Sequence, residues 1–523
     1  MSQEEIVDNI ILDFVADIDP ACKNFIIACD DKAKKRTLML CVLDRKNQDI
    51  FEDYKKIVDP ENNSKCYEYI IEVTQMLRKY IKVADTDIKN YGEVLTPPAL
   101  INDMLDCLPS EVWSNKDLKW LDPCNGVGTF PAVVVTRLME GLKDAIPNDC
   151  ERYEHIVNNM IYVCEIQAKN MFLFHCSFDR KNEYKLNTYF GSFLTDEFNE
   201  HMTNVWGVDK FDIVVGNPPY NEAFSNSGNA KDLFDKFIFK SLNICNKLLF
   251  VTPTRWFSKH SLVKLRNTLL GNNKLKLIKQ YHNSKDVFEN TEITGGVSYF
   301  LYDNDYNSNL VNFNGENINL SKQVETFGMV LYNQEMNLVK NIIDKLPKER
   351  LSKIFKSKGY FGVKTNGTQM TGNIICYFSN QRGVKMNMET KNGRYYSYVN
   401  DYTDNGNVIN DWKVITSSAY GANPNGLGEI NLINPNEICS ESFIFFNFKT
   451  KKESTNFISY LNTKFVKFLI SIKKNKQDVT SIVFELVPQV PLDREWTDEQ
   501  VYKYFKLTQE EINFIDSQIP KYS

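Results

Sequence analysis

A chain of 523 residues that is 42% hydrophobic and 25% charged has the balance of a globular protein, which excludes disorder, collagen-like repeats and a disulfide scaffold. At roughly 150 residues per domain it should divide into about three parts. Sixty-two basic against 67 acidic residues leave a net charge of −5, so a uniformly basic nucleic-acid coat is excluded and only a local basic patch is open to such a partner.

No apolar run approaches the roughly 18 to 20 residues that a bilayer span needs. The opening MSQEEIVDN is acidic, where a signal peptide is basic and then apolar. The chain is therefore expected in the cytoplasm, with no membrane partner. Twelve cysteines stand singly, without a C-x-x-C pair, and read as reduced core thiols. The five histidines (His155, His175, His201, His260 and His282) lie far apart and outside any H-E-x-x-H, so no metal ligand set is expected.

In chain order, Ile6, Val7, Ile10, Ile11, Phe14 and Val15 recur at helical spacing, and Tyr67, Ile70, Ile71, Leu77, Tyr80 and Ile81 repeat the pattern. Residues 1–88 are thus predicted to be mostly helical, around one strand-like run at 37–43. From about Asn90, short apolar runs at 119–121, 160–164, 211–215, 247–251, 275–281 and 298–302 alternate with helical stretches. That alternation predicts an α/β sheet of doubly wound type. Beyond about Asn319, Gly/Asn-rich turns separate strand-like runs at 360–362, 374–378, 412–415 and 442–448, followed by helices, which reads as a separate domain. Residues 331–480 hold 21 Lys+Arg against 12 Asp+Glu, a surplus of +9 that leaves −14 for the other 373 residues. On composition alone this segment reads as a solvated lysine-rich surface. Thr497 with Gln500 and Thr508 with Glu511 have the capping-box form of helix starts.

The richest chemistry lies at Phe211-Asp212-Ile213-Val214-Val215-Gly216-Asn217-Pro218-Pro219-Tyr220, where an apolar run ends abruptly and a strand should deliver a rigid loop to a sheet edge. Two prolines fix φ near about −65° and bias the residues before them toward extended geometry, so the Asn217 amide and the Pro218 carbonyl can face one point. Such a pair suits an NH2 group. The exocyclic amine of a base is a poor nucleophile because its lone pair is delocalised into the ring. Accepting both of its hydrogens favours a pyramidal nitrogen whose lone pair points at an electrophile. Tyr220 adds a π face for a planar base, worth about 1–3 kcal/mol. A plain Pro-rich turn would account for the prolines but not for this polar and aromatic bracket.

Upstream, Leu121-Asp122-Pro123-Cys124-Asn125-Gly126-Val127-Gly128-Thr129-Phe130 lies between a strand and the helical run 132–142. Glycines let a ligand approach the backbone, although G-x-G alone equally describes a tight turn. Glu165, ending the next strand-like run, stands where a Rossmann-like sheet puts a carboxylate on ribose hydroxyls. The full G-x-G-x-x-G fingerprint is absent, so a nucleoside without a pyrophosphate fits better. Before the loop, Tyr91-Gly92-Glu93-Val94-Leu95-Thr96-Pro97-Pro98 reads as a helix start, with Thr96 as N-cap and Pro97 at the first helical position.

Together these segments resemble the S-adenosylmethionine-dependent, amino-methylating DNA methyltransferases, in the adenine-N6 group whose cofactor-tail motif precedes the glycine loop and whose recognition domain lies C-terminal. The likeness covers most of residues 89–302, and Asn217-Pro218-Pro219-Tyr220 matches the family's catalytic tetrapeptide. The resemblance implies a helical region at 1–88, a Rossmann-like class I methyltransferase domain of α/β type at 89–320 and an α+β target-recognition domain at 321–523. It implies S-adenosylmethionine as cofactor, met by Thr96 and Pro97 at the methionine end, by Asp122, Cys124 and Gly126 in the glycine loop, by Glu165 on the ribose with Ile166 beside the adenine, and by Asn217 and Pro219. Where the family usually sets an acid against the cofactor's adenine amine, this chain has Gly191-Ser192-Phe193-Leu194. Ser192 is then the acceptor, and Phe193 is expected to pack on the ring.

The implied catalytic residues are Asn217, Pro218 and Tyr220. Asn217 and the Pro218 carbonyl would hold N6 of an adenine flipped out of duplex DNA, with Tyr220 stacked on it. Asp286-Val287-Phe288, ahead of Thr294-Gly295-Gly296-Val297, resembles the segment that brings a second aromatic to the base, which makes Phe288 the candidate opposite Tyr220. An ordinary core phenylalanine is the alternative there. No metal enters. The stretch from about Asn434, with Glu437-Ile438-Cys439-Ser440-Glu441-Ser442, Val487-Pro488 and Trp496-Thr497-Asp498-Glu499, resembles the ends of adenine methylases from restriction–modification systems. The basic segment thereby becomes an expected phosphate-contacting surface for double-stranded DNA. A separate restriction or specificity protein is a further expected partner, in a bacterial or phage setting.

Three other readings stay open on sequence. Glutamine-N5 methylases of release factors and some RNA methylases share the tetrapeptide, but the motif before the glycine loop and the large domain after the core stand against them. A bifunctional restriction enzyme would carry an N-terminal nuclease: Asp53-Tyr54-Lys55 has D-x-K form with Asp44 upstream, in a polar stretch where a metal site would need a strand. A specificity subunit with a vestigial methylase fold is the third, and the intact tetrapeptide argues against decay.

Overall fold

The computed structural model describes residues 2–18, 20–30, 32–43, 70–74, 96–179, 183–222, 231–288, 293, 295–330, 336–364, 372–378, 389–391, 394–419, 426–474 and 478–519. The chain divides into two compact units, Met1–Asn333 and Gln334–Ser523.

In the first unit the apolar runs assemble into one nine-stranded sheet: β1 (Trp120–Asp122), β2 (Ile161–Glu165), β3 (Asn187–Phe190), β4 (Phe211–Gly216), β5 (Cys245–Pro253), β6 (Leu275–Tyr281), β7 (Val297–Asp303), β8 (Val311–Phe313) and β9 (Glu316–Ile318). Their order is β3-β2-β1-β4-β5-β7-β6-β8-β9. The first five pair in parallel, so their C-terminal ends share one edge, while β7 runs antiparallel between β5 and β6. Successive strand residues feed opposite faces, as the two-residue pleat requires. Trp120, Val163, Ile213, Val215 and Leu249 enter one apolar cluster, and Leu121, Cys164, Val214, Leu248 and Phe250 enter another. Burial on both sides explains why these strands read as continuous apolar runs rather than alternating ones.

Helices cover both faces. The helix Thr129–Gly141 supplies Phe130, Val133, Val134 and Leu138 to the first cluster, whereas Phe234–Ile244 supplies Phe234, Phe237 and Ile238 to the second. The architecture is thus the doubly wound α/β fold expected.

Near the N terminus, α1 (Gln3–Ile18), α2 (Pro20–Ile27) and α3 (Lys32–Leu43) are all helical. The strand-like run 37–43 is therefore corrected to the second half of α3. A short apolar run bears no period that distinguishes a strand from a buried helix, and tertiary packing against α1 decides it. Val7, Ile11, Leu12 and Val15 of α1 enter the first core cluster, and Gln3 Oε1 accepts the Phe190 amide at the end of β3 (2.9 Å). Buried Arg36 ties α3 to Glu4 and Asp8 of α1 and donates to the Asp179 carbonyl (2.9 Å). Residues 70–74 of the second expected helix are described, and all of them are helical; the rest of it lies outside the described residues.

The second unit carries β10 (Ile374–Phe378), β11 (Glu389–Lys391), β12 (Arg394–Val399), β13 (Trp412–Ser417), β14 (Asn431–Ile433), β15 (Glu437–Cys439) and β16 (Phe443–Phe448). They form a four-stranded sheet, β11-β12-β10-β15, and a three-stranded sheet, β14-β13-β16. The run 360–362 is corrected from strand to turn. Gly359 and Gly362 take φ of +76° and +72°, and the Gly362 amide bonds the Gly359 carbonyl (2.9 Å), a conformation that glycine adopts without penalty. Phe361 still reaches the core, stacked on Phe445 at 5.2 Å. The helices Lys451–Leu461, Asp498–Tyr504 and Gln509–Gln518 each begin with a complete capping box, at Thr450/Glu453, Thr497/Gln500 and Thr508/Glu511. No helix among the described residues is long and apolar enough to cross a membrane.

Candidate active site

Asp122, Glu165 and Gly216 are the last residues of β1, β2 and β4, which lie side by side in the sheet. Strand order reverses between β1 and β4, and the crevice at such a reversal is where open α/β sheets bind ligands.

Glu165 organises the glycine loop. Its Oε2 accepts the Gly126 amide and its Oε1 the Gln167 amide, both at 2.7 Å. The backbone adds Asn125 N–H to the Cys164 carbonyl and Gly191 N–H to the Glu165 carbonyl. Gly126, at φ +56°, has no atom within 4 Å of where a Cβ would stand, so the loop opens a cradle beside the carboxylate. Gly128 differs: a Cβ there would come within 2.8 Å of the Phe174 ring, so its glycine serves packing.

Asp122 joins the two loops. Its Oδ1 accepts the Cys124 amide (3.1 Å), while its Oδ2 is buried with no hydrogen-bond partner among the described residues. A Cβ on Gly216 would stand 2.9 Å from Asp122 Oδ1 and 3.3 Å from Cys124 Sγ, so only glycine lets the tetrapeptide loop leave β4 this close to the glycine loop. Burial raises the Asp122 carboxyl to about 7, against the bonds from Cys124 that lower it. Burial first, then the Asp122 and Glu165 carboxylates, hold the Cys124 thiol well above its ordinary range.

Asn217 donates from Nδ2 to Thr96 Oγ1 at 3.1 Å. This corrects the helix-start reading of Thr96. The helix Pro98–Leu105 takes Pro97 as N-cap, with Pro98 at its first position and no side-chain cap bond. A helix whose first residues lack amide hydrogens needs less capping. The Thr96 hydroxyl is accordingly turned to the tetrapeptide loop. No pattern local to either residue signals a contact across 121 positions. Tyr220 and Phe288 are 5% and 3% exposed and belong to the same apolar cluster. Burial pushes the Tyr220 phenol upward, so it stays neutral. The sequence reading also missed Arg255, which donates to the Tyr220 carbonyl at 2.8 Å.

At the expected adenine end, Ile166 is 53% exposed at the crevice edge. Ser192 Oγ accepts the Leu194 amide (3.3 Å). Phe193 lies in the second apolar cluster, 4.9 Å from Phe198 and stacked on Phe237 at 5.4 Å. Its ring therefore has core partners.

The segment 331–480 buries Lys413 and Lys474, but it buries Asp411 and Glu437 as well, so burial among the described residues leaves its surplus of +9 unchanged. Lys413 Nζ donates to the Ile409 and Asp411 carbonyls (2.8 Å each), and burial lowers it to about 8. Among the described residues no group of three or more His, Cys, Asp or Glu side chains could hold a metal ion. Asp44, Asp53, Tyr54 and Lys55 lie outside the described residues.

The profile of the Eco57I restriction-modification methylase family matches residues 126–288, which include Gly126 and Gly128 of the glycine loop, Glu165, the tetrapeptide and Phe288 but not Asp122 or Cys124. An uncharacterised adenine-specific methylase of Mycoplasma pneumoniae is 28% identical over 330 residues, spanning 49% of this chain and 78% of that protein. Among solved structures, a DrdV–DNA complex aligns with a TM-score of 0.49 and 10% identity over 91% of this chain and 67% of that one. The type IIL restriction-modification enzyme MmeI with DNA gives 0.44 and 10% over 92% and 86%. A type I restriction–modification system component gives 0.36 and 14% over 54% and 58%, so this chain spans little more than half of its length. The match of residues 126–288 and the Mycoplasma relative support the resemblance carried by the motifs, that of an adenine methyltransferase of restriction–modification type.

Proposed function

We propose that the chain transfers a methyl group from S-adenosylmethionine to N6 of an adenine turned out of duplex DNA, as the modification activity of a restriction–modification or related system. The observation that carries this reading is the Asn217 side chain, set at the end of β4 and tied to Thr96 across the mouth of the glycine loop.

The residues fit a nucleoside-bearing donor. An open glycine backbone, a buried acid at a strand end, a buried Asp122 oxygen and an exposed apolar Ile166 lie along one crevice. Glu165 is suited to ribose hydroxyls, Asp122, Cys124 and Gly126 to the loop side, Ile166 and Ser192 to the adenine end, with the Phe193 ring held in the core behind them, and Thr96, Pro97, Asn217 and Pro219 to the methionine end. When bound, this cofactor supplies a methyl group on a sulfonium, an electrophile that needs no further activation.

The protein's part is positioning. Thr96 takes the Nδ2 hydrogen of Asn217, so the side-chain oxygen is the acceptor offered to the amine. The Pro218 carbonyl accepts the second N–H, and the lone pair is left aimed at the methyl carbon. Tyr220 stacks on the base, with Phe288 across from it. The proton leaves after transfer, so no strong base is required. Exposed lysines of the second unit, such as Lys452, suit phosphate contacts on the duplex.

Asn217→Ala tests the reading. Transfer of labelled methyl to adenine should fall by about 1000-fold or more, the scale seen when a transition-state donor or acceptor is removed. Donor affinity, measured by calorimetry, should stay within about threefold, because ground-state binding rests on other groups. Turnover equal to wild type overturns the assignment.

A further inference from the structure

One side chain outside the motifs closes a network on the tetrapeptide. Arg255 stands in the turn Thr254–Phe257, directly after β5. Its Nη2 donates to the Tyr220 carbonyl (2.8 Å) and to Asn221 Oδ1 (2.7 Å), and its Nε donates to Asp232 Oδ1 (2.6 Å). The second oxygen of Asp232 takes Lys259. The Arg255 guanidinium carbon lies 5.2 Å from the centre of the Phe234 ring, and Phe234 in turn meets the Tyr220 ring edge-on at 6.5 Å and 76°.

Backbone bonds complete the frame. Asn221 and Asp232 form an antiparallel bridge, and the Tyr220 carbonyl also accepts the Leu233 amide (3.1 Å). Three segments distant in sequence, at 220–222, 231–234 and 254–257, therefore converge on one planar fork. Arg255 and Asp232 side chains are 23% and 9% exposed, so these charge-assisted bonds are largely shielded from water. A lysine could not replace the fork, since it offers no two donors in one plane.

We propose that Arg255 is a positioning residue for the methyl transfer: by fixing the main chain of Tyr220 and the facing Phe234, it sets the plane on which the target base stacks. The inference rests on the function proposed above. It predicts a loss in turnover rather than in binding, because the fork touches neither the donor crevice nor the proposed phosphate contacts. A displacement of the stacking plane by about 1 Å is enough for a 100-fold loss in rate.

The test uses the full chain, tritiated S-adenosylmethionine and chromosomal DNA from a methylase-free bacterium. Arg255→Ala should lower kcat for adenine labelling by about 10- to 100-fold. KM for donor and for DNA should remain within about threefold of wild type. Guanidinium ions at concentrations well below denaturing should restore part of the lost rate, and ammonium ions should not. Arg255→Lys, which keeps the charge, should fall nearly as far as alanine. If circular dichroism shows Arg255→Ala unfolded, Arg255→Lys decides alone. Wild-type kcat in the folded variant overturns the inference, as does a loss confined to KM. A wild-type enzyme that labels no adenine overturns the proposed function and this inference together, whereas labelling by wild type with equal labelling by the variant removes only the role of Arg255.

Discussion

The glycine loop after β1 and the tetrapeptide loop after β4 leave neighbouring strands at the same edge of the sheet and are held in different ways. The first is pinned by one carboxylate: Glu165 accepts amides from Gly126, after β1, and Gln167, after β2. The second is pinned by side chains brought from elsewhere, Thr96 onto Asn217 and Arg255 onto Tyr220 and Asn221. A loop that receives a ligand's hydroxyls needs an acid and open backbone. A loop that must present two acceptors and a ring needs its rotamers locked, and that takes packing and hydrogen bonds from a supporting layer.

This contrast makes the two loops separable by experiment. The largest effect on donor affinity should come from the glycine loop. Glu165→Ala leaves two half-buried amides without their acceptor, each such charge-assisted bond being worth about 1.5–3 kcal/mol. Donor affinity should drop by about 10- to 100-fold in titration calorimetry, with kcat at saturating donor much less affected. A fall in kcat with unchanged affinity would erase the distinction between the loops.

Asp122 sits between them and should report through pH. Its carboxyl stands at about 7 in the folded chain, against about 3.9 in an unfolded one. Between these values the folded state binds more protons than the unfolded state, so stability falls as pH rises from about 4 to about 7 and stays low above that. Asp122→Asn removes this titration and can still accept the Cys124 amide. In melting experiments its advantage over wild type should grow across that window and level off above about 7. Parallel melting curves for both proteins from pH 4 to pH 8 would mean that the Asp122 carboxyl is solvated.

The smallest effect belongs to Thr96. Thr96→Ala removes one neutral hydrogen bond of about 0.5–1.5 kcal/mol, which corresponds to a fall in kcat of about 2- to 10-fold. Thr96→Ser should restore the rate, because it keeps the hydroxyl. Failure of serine to rescue would assign Thr96 to packing alone.

Legibility in the sequence follows the range of the interaction. β1, β2, β4, β5 and β7 are legible because strands buried on both faces write uninterrupted apolar runs, and Asn217 to Tyr220 because the chemistry proposed for that loop demands contiguous residues. The capping boxes at Thr497 and Thr508 are legible for the same reason, as both partners lie three residues apart. The C-terminal half of α3 reads as a strand because its apolar run is shorter than two helical turns and carries no period. Thr96 reads as a cap because a threonine before prolines satisfies that rule locally, while its bond to Asn217 spans 121 residues. Arg255 has no local signature either: a single arginine after Thr252-Pro253 declares nothing until the turn folds back onto Tyr220. The +9 surplus is legible as composition, but the burial of Lys413, Lys474, Asp411 and Glu437 is not, since a count of charges carries no burial.

The most direct measurement digests chromosomal DNA from a methylase-free bacterium expressing the full chain and quantifies modified nucleosides by mass spectrometry. N6-methyladenine should appear at a fixed sequence context with the wild-type chain and be absent with Asn217→Ala. Methyl groups found on cytosine, on RNA or on protein, with none on adenine in the duplex, would contradict the account.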